Sequence, residues 1–159
     1  MELWELYDDK KNKTGLVIER GEKIPKGYHF LCVEIWIINE DKEVLLTQRS
    51  KEKESYPLYW ETTGGGIKKG EKLEDAAVRE VQEETGISVD REQLHLMGDY
   101  VGDNYIVYTY FYFLKGNPDP ELKLQKEEVA DSKWVAIKNL KDQKNMIEEK
   151  VDRFFKYLK

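Results

Sequence analysis

The residues of this chain best suited to chemistry are three glutamates, Glu80, Glu83 and Glu84, which follow one another closely. Residues 72–85 contain neither Gly nor Pro, and Gly86 comes directly after them, where a glycine commonly ends a helix. The sequence therefore predicts one helix that presents several carboxylates near its C-terminus. Carboxylates at this spacing can bind a cation or accept a proton.

The helical periodicity places two of these carboxylates near the face that should be buried. At about 100° per residue, one apolar arc should pack on the core, and it consists of Leu73, Ala77, Val78 and Val81. Glu80 and Glu84 fall beside or within that arc. They are also like charges four residues apart, at the helix end where negative charge is unfavourable. An ordinary solvated helix face is the alternative, but these local costs favour a bound cation.

The ligand atoms indicate which cation this would be. Oxygen-only ligands on a rigid element favour hard ions such as Mg²⁺ or Mn²⁺. Such an ion binds substrate phosphates and lowers the pKa of a bound water, which then becomes a nucleophile. The net charge of −6 leaves the chain without an excess of its own cations for a phosphate substrate. We therefore expect Mg²⁺ or Mn²⁺ at Glu80, Glu83 and Glu84.

A glycine-rich loop and a charged pair accompany this helix. Gly64, Gly65 and Gly66 can take positive φ and let the backbone approach a ligand or a metal, although a plain flexible turn is the alternative. Glu71 and Arg79 can form an ion pair that fixes the loop and orients the helix. The alternative for this pair is a surface ion pair of little energetic value, since the helical wheel puts Arg79 on the solvent side.

The composition limits the class of protein and its location. With 159 residues, 40% hydrophobic and 36% charged, the chain is typical of one globular domain over residues 1–159. The acidic balance argues against a nucleic-acid surface, and no apolar run is long enough to span a membrane. Cys32 is the single cysteine, and the N-terminus lacks a secretory pattern, so we expect a cytoplasmic protein.

The pattern of apolar residues predicts an α+β sandwich. The predicted strands cover residues 3–7, 15–20, 29–38, 43–48, 93–101, 105–114 and 133–137. The predicted helices cover residues 72–85 and 145–158. The strand at 29–38, rich in aromatic and β-branched residues, should be central, and the glycine-rich segment 64–71 should be a loop.

The spacing of residues in this region resembles the signature of the Nudix hydrolases. That signature is Gly-x5-Glu-x7-Arg-Glu-U-x-Glu-Glu-x-Gly-U, where U is a bulky aliphatic residue. Gly65, Glu71 and the run from Arg79 to Ile87 match every defined position. The resemblance implies a Nudix-type α/β/α sandwich with a mixed sheet. It also implies a metal-dependent hydrolase that cleaves the diphosphate linkage of a nucleoside diphosphate derivative or another organic pyrophosphate.

The resemblance also implies a role for each residue of the motif. The three glutamates would bind the divalent metals, one of them acting as the base in some members. The carbonyl of Gly64 would be a backbone ligand, and Arg79 with Glu71 would brace the site. Family members often use a further acid from a later loop, for which Glu128 is preferred here over Glu127, with ordinary loop charge as the alternative. Dimers are common in the family, so a homodimer is open.

The N-terminal part is similar to isopentenyl diphosphate isomerase, a relative on the same fold. The shared features are Trp4-Glu5-Leu6-Tyr7-Asp8, Thr14-Gly15, Arg20-Gly21, Gly27-Tyr28-His29 and Val33-Glu34-Ile35-Trp36-Ile37. That isomerase needs a Cys and a metal-binding His in the loop ahead of the helix, and residues 60–67 contain neither. Cys32 lies in a predicted strand as a small core residue. Isomerase activity is therefore the disfavoured alternative, as is a non-catalytic nucleotide-binding sensor, which would be free to lose the carboxylates present here.

The group attached to the diphosphate is not determined by the motif. Aromatic residues that could stack on a base are Trp36, Trp60, Tyr105, Tyr108, Tyr110 and Tyr112. Alternating aromatic residues in a strand more often pack in the core or across strands, which is the favoured interpretation here.

Overall fold

A mixed seven-stranded β-sheet lies at the centre of this structure, a computed structural model that describes Met1–Lys159. The strands are β1 (Leu3–Tyr7), β2 (Lys13–Glu19), β3 (Phe30–Ile38), β4 (Glu43–Arg49), β5 (Trp60–Glu61), β6 (Thr63–Gly66), β7 (His95–Val101), β8 (Tyr105–Phe113) and β9 (Val129–Ala136). The helices are α1 (Leu73–Thr85) and α2 (Glu148–Leu158), and two 3-10 turns cover Arg91–Gln93 and Ile137–Asp142. The order across the sheet is β5-β4-β3-β8-β7, with β6 also paired to β3 and β9 to β4. Strands β3 and β8 are parallel, and the other strand pairs are antiparallel.

Alternation of side chains along β3 gives the sheet two apolar faces, and each face is covered by one helix. The core on the α1 side includes Val33, Ile35, Ile37, Ala76, Ala77 and Val81. The core on the α2 side includes Trp36, Ile38, Leu46, Val151 and Phe154. This arrangement of helix, sheet and helix confirms the predicted α/β/α sandwich with a mixed sheet.

The sheet opens between β3 and β4, and this opening positions the site. The two strands form a hairpin, but they are paired only at Ile38 and Val44. Along the first half of β3 the neighbour is β6 instead, from Cys32 opposite Gly66 to Ile35 opposite Thr63. Strand β4 meanwhile pairs with β9 and β5. A cavity can therefore form where the two halves of the sheet diverge.

The N-terminal hairpin, β1 with β2, is a separate two-stranded sheet that covers one end of this opening. Trp4 stacks on Phe30 with ring centroids 4.3 Å apart and nearly parallel planes. Tyr7 and His29 exchange two backbone hydrogen bonds of 2.8 and 2.9 Å. These contacts hold the hairpin against the start of β3, so its side chains reach the cavity.

Most predicted elements are confirmed with small shifts of their ends, β5 was not predicted, and the larger differences have identifiable reasons. Helix α1 ends as predicted, with Gly86 at φ 80° and its N–H donating to the carbonyl of Gln82. Helix α2 begins at Glu148 and not at residue 145, because Asn145 has φ 57° and cannot continue a right-handed helix. The last strand is longer than predicted, since β9 begins at Val129 and pairs along β4. The prediction of a loop at 64–71 is wrong for residues 64–66, which belong to β6.

The two helices are short. Helix α1 has 13 residues and α2 has 11. Neither is long and apolar enough to cross a membrane.

Candidate active site

One cavity of about 440 Å³ lies where the sheet opens. Its lining includes every residue that the sequence predicts for the site except Glu71. The proposed residues in the wall are Gly64, Gly65, Gly66, Arg79, Glu80, Glu83, Glu84 and Glu128. We call the part formed by Glu80, Glu83, Glu84 and β6 the acidic end.

Glu84 is the most enclosed carboxylate of the acidic end. Its Oε1 accepts a short hydrogen bond from the hydroxyl of Thr63 and one of 3.2 Å from the N–H of Gly64. Burial raises the pKa of Glu84 to about 7, against the opposing effect of the Thr63 hydroxyl, and the negative charges of Glu80 and Glu61 raise it further. A negative charge at this position is therefore unfavourable unless a cation lies nearby.

Arg79 joins the other acids of the motif into one network. Its Nε and Nη2 donate to the two carboxylate oxygens of Glu71 at 2.7 and 2.8 Å, so the predicted ion pair is present as a two-pronged contact. Nη2 also donates to the carbonyl of Gly66 at 3.1 Å, and Nη1 donates to Glu80 at 2.9 Å and to Glu83 at 3.4 Å. The prediction that Arg79 faces solvent is wrong, because its guanidinium folds back to the carbonyl of Gly66 and its side chain is only 18% exposed.

The order of burial along α1 matches the helical wheel. The side chain of Glu80 is 12% exposed, whereas that of Glu83 is 41% exposed. Burial raises the pKa of Glu80, and the neighbouring guanidinium of Arg79 opposes this effect. Two of the three glutamates are thus partly enclosed beside the apolar arc, as expected.

The three glycines are needed for close packing and not for positive φ. None of them has positive φ, so the prediction of that backbone conformation is wrong. A Cβ on Gly64 would lie 2.1 Å from the carbonyl oxygen of Val33, and one on Gly65 would lie 2.5 Å from the carboxylate of Glu80. A Cβ on Gly66 would meet the indole of Trp4 at 2.9 Å. Glycine at these places lets β6, α1 and the N-terminal hairpin meet.

The donor atoms of the acidic end fit a hard divalent cation, although they are not yet gathered around one point. No three Asp, Glu, His or Cys side chains of the chain are grouped closely enough to enclose an ion in this conformation. The guanidinium of Arg79 lies between Glu80 and Glu83, so a cationic group already sits among these carboxylates. All the candidate ligands are oxygen atoms, which is the set that Mg²⁺ and Mn²⁺ prefer.

Glu128 lies in the same cavity, where it is held by two cations. Its carboxylate contacts the ammonium of Lys53 closely and lies 4.0 Å from the guanidinium of Arg20. Glu127 is exposed and does not line the cavity. Of the two acids considered from the sequence, Glu128 is therefore the one that lines the cavity.

Four further charged residues of the cavity wall were not predicted as site residues from the sequence. We call the part formed by Glu34, Glu61, Lys150 and Arg153 the paired end. Arg153 donates to both oxygens of Glu34 at 3.1 and 3.0 Å, and Lys150 makes a short contact with Glu61. One signal was available, because Glu34 is the single charged residue in the apolar strand β3.

Most of the aromatic residues considered for stacking belong to the core. Trp36 is fully buried against Phe154, and Tyr110 and Tyr112 are buried on the α1 side. Of the residues considered, Tyr105 alone lines the cavity. The interpretation of most of these residues as packing residues agrees with this placement, whereas Trp4 and Phe30, which also line the cavity, were not considered.

Cys32 also faces the cavity, which differs from its predicted place in the core. Its Sγ lies 3.7 Å from the carbonyl of Ile106, to which it donates. Burial raises the pKa of the Cys32 thiol to about 12. The thiol is therefore held in its protonated, unreactive form.

Comparison with known sequences gives the same family as the residues of the site. A family model described as the NUDIX domain matches residues 28–158. An uncharacterized Nudix hydrolase of Listeria monocytogenes is 37% identical over 141 residues, which cover 88% of this chain and 83% of that protein. An isopentenyl-diphosphate Delta-isomerase of Paenarthrobacter aurescens is 31% identical over 148 residues, covering 86% of this chain and 77% of that protein.

Solved structures share the fold. A crystal structure of a Deinococcus radiodurans protein has a TM-score of 0.74 at 18% identity and covers 87% of this chain and 86% of its own. A bifunctional NMN adenylyltransferase/ADP ribose pyrophosphatase of Francisella tularensis, complexed with AMP and a Mn ion, has a TM-score of 0.65 at 23% identity. The match covers 87% of this chain and 42% of that chain. The chain belongs to the Nudix hydrolases, the family of enzymes that act on phosphorus-containing acid anhydrides.

Proposed function

We propose that this chain hydrolyses the diphosphate linkage of a nucleoside diphosphate derivative or a related organic pyrophosphate, with Mg²⁺ or Mn²⁺ as cofactor. The observation that supports this most directly is the meeting of Glu80, Glu83 and Glu84 with Gly64 in the wall of one cavity. The remainder of the cavity extends beyond these acids and can hold a group attached to the diphosphate.

The proposed metal ligands are the three glutamates, the carbonyl of Gly64 and Glu128. When bound, the divalent cation would neutralise the diphosphate charge and lower the pKa of a water molecule. The raised pKa of Glu84, which follows from its burial, agrees with a site that is completed by a cation. The Francisella tularensis neighbour, which contains a Mn ion, agrees with this type of cofactor on the same fold.

Other residues of the chain would position these ligands. Arg79 and Glu71 tie α1 to the segment that follows β6, and this fixes the helix that presents the carboxylates. Thr63 and the N–H of Gly64 orient the carboxylate of Glu84. The proposed base is one of the three glutamates, which would accept the proton of the attacking water.

A substrate screen with and without the metal tests this proposal. The panel contains nucleotide sugars, dinucleoside polyphosphates, ADP-ribose, coenzyme A, nucleoside triphosphates and isoprenoid diphosphates. We expect phosphate or nucleotide release from at least one compound with Mg²⁺ or Mn²⁺, and loss of that release when the metal is chelated. Release that is undiminished after chelation would contradict the metal dependence, and no release from any member would contradict the hydrolase proposal for this set.

Isomerisation of an isoprenoid diphosphate is the second candidate, because Cys32 lines the cavity and an isomerase is among the relatives. The buried thiol with a pKa of about 12 and the lack of Cys or His in residues 60–67 argue against it. Cys32→Ala separates the two reactions. We expect hydrolysis to persist in this variant, and isomer formation by the wild type that disappears in Cys32→Ala would favour the isomerase.

Three further expectations from the sequence stay predictions. They are a single domain over residues 1–159, a cytoplasmic location that rests on the single cysteine, and a homodimer. The acidic net charge continues to argue against a nucleic-acid partner.

A further inference from the structure

The paired end of the cavity contains two largely buried ion pairs. Glu34 is 1% exposed, and it accepts hydrogen bonds from Arg153 and from the hydroxyl of Thr109 at 2.7 Å. Taking such a pair out of water costs about as much free energy as its attraction returns, and an apolar pair of similar size is often as stable. A buried pair in a cavity wall is therefore better explained by what it presents to a ligand.

Every carboxylate oxygen of these pairs accepts at least one hydrogen bond, whereas the cations have N–H groups without an acceptor in the protein. Both oxygens of Glu34 accept bonds from Arg153, and Glu61 accepts from Lys150 on one oxygen and from Arg49 on the other. Lys150 has one carboxylate partner for its three N–H groups, and Nη1 of Arg153 has no protein acceptor. Both side chains line the cavity. The groups left for a ligand at this end are therefore N–H donors.

The neighbouring carboxylates make these donors better suited to an uncharged acceptor. Arg49 also pairs with Glu61 and lines the cavity. Lys150 and Arg153 nevertheless each lie against a carboxylate, so an anionic group that accepted from either of them would lie beside Glu61 or Glu34 and be repelled by it. An oxygen or ring nitrogen of an uncharged group can accept a hydrogen bond from the same cations without that repulsion. A hydrocarbon chain would instead leave the donors unpaired and desolvated, which is unfavourable.

The floor beneath these donors is formed by two neighbouring strands. Cys32 of β3 is paired with Val107 of β8, and both line the cavity, as does Tyr105 two residues earlier on β8. Small apolar side chains beside an aromatic ring make a surface on which a planar ring can lie. The edge of such a ring would meet Lys150 and Arg153.

We propose that Lys150 and Arg153 determine specificity by donating hydrogen bonds to the uncharged oxygen or nitrogen acceptors of a planar ring, such as a nucleobase, attached to the diphosphate. Glu34 and Glu61 are positioning residues that orient these two donors. The inference rests on the proposed hydrolysis, since the acidic end must bind the diphosphate for the ring to reach the paired end.

Calorimetric titrations with Mn²⁺ present test this inference without requiring turnover. The probes are methylenediphosphonate, which has no attached group, the α,β-methylene analogues of ADP, GDP, CDP and UDP, and isopentenyl methylenediphosphonate. We expect at least one nucleotide analogue to bind more tightly than both methylenediphosphonate and the isopentenyl compound. In Lys150→Met the affinity for that nucleotide analogue should fall about tenfold, the size of one hydrogen bond to a charged donor. The affinity for methylenediphosphonate should stay within about twofold.

Two further variants and one fold measurement complete the test. Arg153→Lys keeps the charge but loses the fork of donors, so it should also bind the nucleotide analogue more weakly. Lys156→Met alters an exposed lysine on the same helix and should bind every probe as the wild type does. Thermal unfolding of each variant shows whether the fold persists. Glu61 retains Arg49 in Lys150→Met, so that variant keeps one counter-charge for Glu61.

The outcomes separate this inference from the function on which it rests. If methylenediphosphonate does not bind with Mn²⁺, the assignment of the acidic end as the diphosphate site is wrong. If it binds but no nucleotide analogue binds more tightly, or if Lys150→Met and Arg153→Lys keep the full gain, the specificity role is overturned while the diphosphate site stands. Tighter binding of the isopentenyl compound than of every nucleotide analogue would also overturn it.

Discussion

The carboxylates at the two ends of the cavity have opposite electrostatic surroundings. At the acidic end, Glu80, Glu83 and Glu84 share the single guanidinium of Arg79 or lie against neutral hydrogen-bond donors. At the paired end, each of the two carboxylates has a cation of its own from α2. Burial raises the pKa of Glu84 to about 7, whereas the cations Lys150 and Arg49 hold the pKa of Glu61 below its ordinary value in spite of burial.

This difference indicates what each end lacks. The acidic end has excess negative charge, so the partner that would stabilise it is a cation from outside the chain. The paired end has a cation beside each carboxylate and unused N–H donors, so the partner proposed for it is a neutral acceptor. A cavity with both ends is suited to a molecule with a diphosphate at one end and a polar ring at the other.

The largest expected effect comes from neutralising the acidic end. Glu83→Gln and Glu84→Gln should each lower turnover by about two orders of magnitude or more, since each removes a proposed ligand of the metal. Folding should stay intact or become slightly more stable, because repulsion among the carboxylates decreases. The measurements are kcat with Mg²⁺ and the midpoint of thermal unfolding. Glu92→Gln, an exposed change outside the cavity, is the matched control, and full activity in both site variants would show that the metal assignment is wrong.

Substitutions at two glycines of β6 should have an intermediate effect, and they distinguish close packing from metal binding. A Cβ at residue 64 meets backbone, so Gly64→Ala should destabilise the fold by about 1–3 kcal/mol. A Cβ at residue 65 meets the movable carboxylate of Glu80, so Gly65→Ala should keep more of its stability but bind Mn²⁺ more weakly. Urea unfolding and calorimetry measure the two effects. Equal stability of Gly64→Ala and wild type would contradict the close contact with Val33.

The smallest effect concerns the pH dependence of stability at the paired end. The pKa of Glu61 is below its ordinary value of 4.5 in the folded chain, against the effect of burial, because of Lys150 and Arg49. The unfolded chain therefore takes up a proton first as the pH falls, and the stabilisation present above the unfolded pKa is lost as the pH falls through the folded pKa. In Lys150→Met this loss should be smaller, because one of the two cations is gone. Urea unfolding from neutral pH to below about 4.5 measures it, and an unchanged slope relative to Lys156→Met would count against the pair.

Local patterns were sufficient to predict much of the acidic end. The spacing of residues within α1 and the segment before it predicted three features. These are the end of the helix at Gly86, the enclosure of Glu80 and Glu84, and the Glu71–Arg79 pair. The predicted exposure of Arg79 was wrong because a helical wheel gives the direction of the Cα–Cβ bond and not the path of a long side chain. The predicted positive φ of the three glycines was wrong. Glycine is needed there because of close contacts with Val33, Glu80 and Trp4, and these residues come from three other segments of the chain.

The sequence alone determined the family signature, the α+β class and the carboxylates of the acidic end, because each depends on the spacing of residues close together in the chain. Only the tertiary structure decided how β6 fits beside β3, which aromatic residues face the cavity, and that the paired end exists. Glu34 and Arg153 are 119 positions apart, and Glu61 and Lys150 are 89 positions apart. No local pattern relates such residues, so their pairing follows only from the packing of α2 on the sheet.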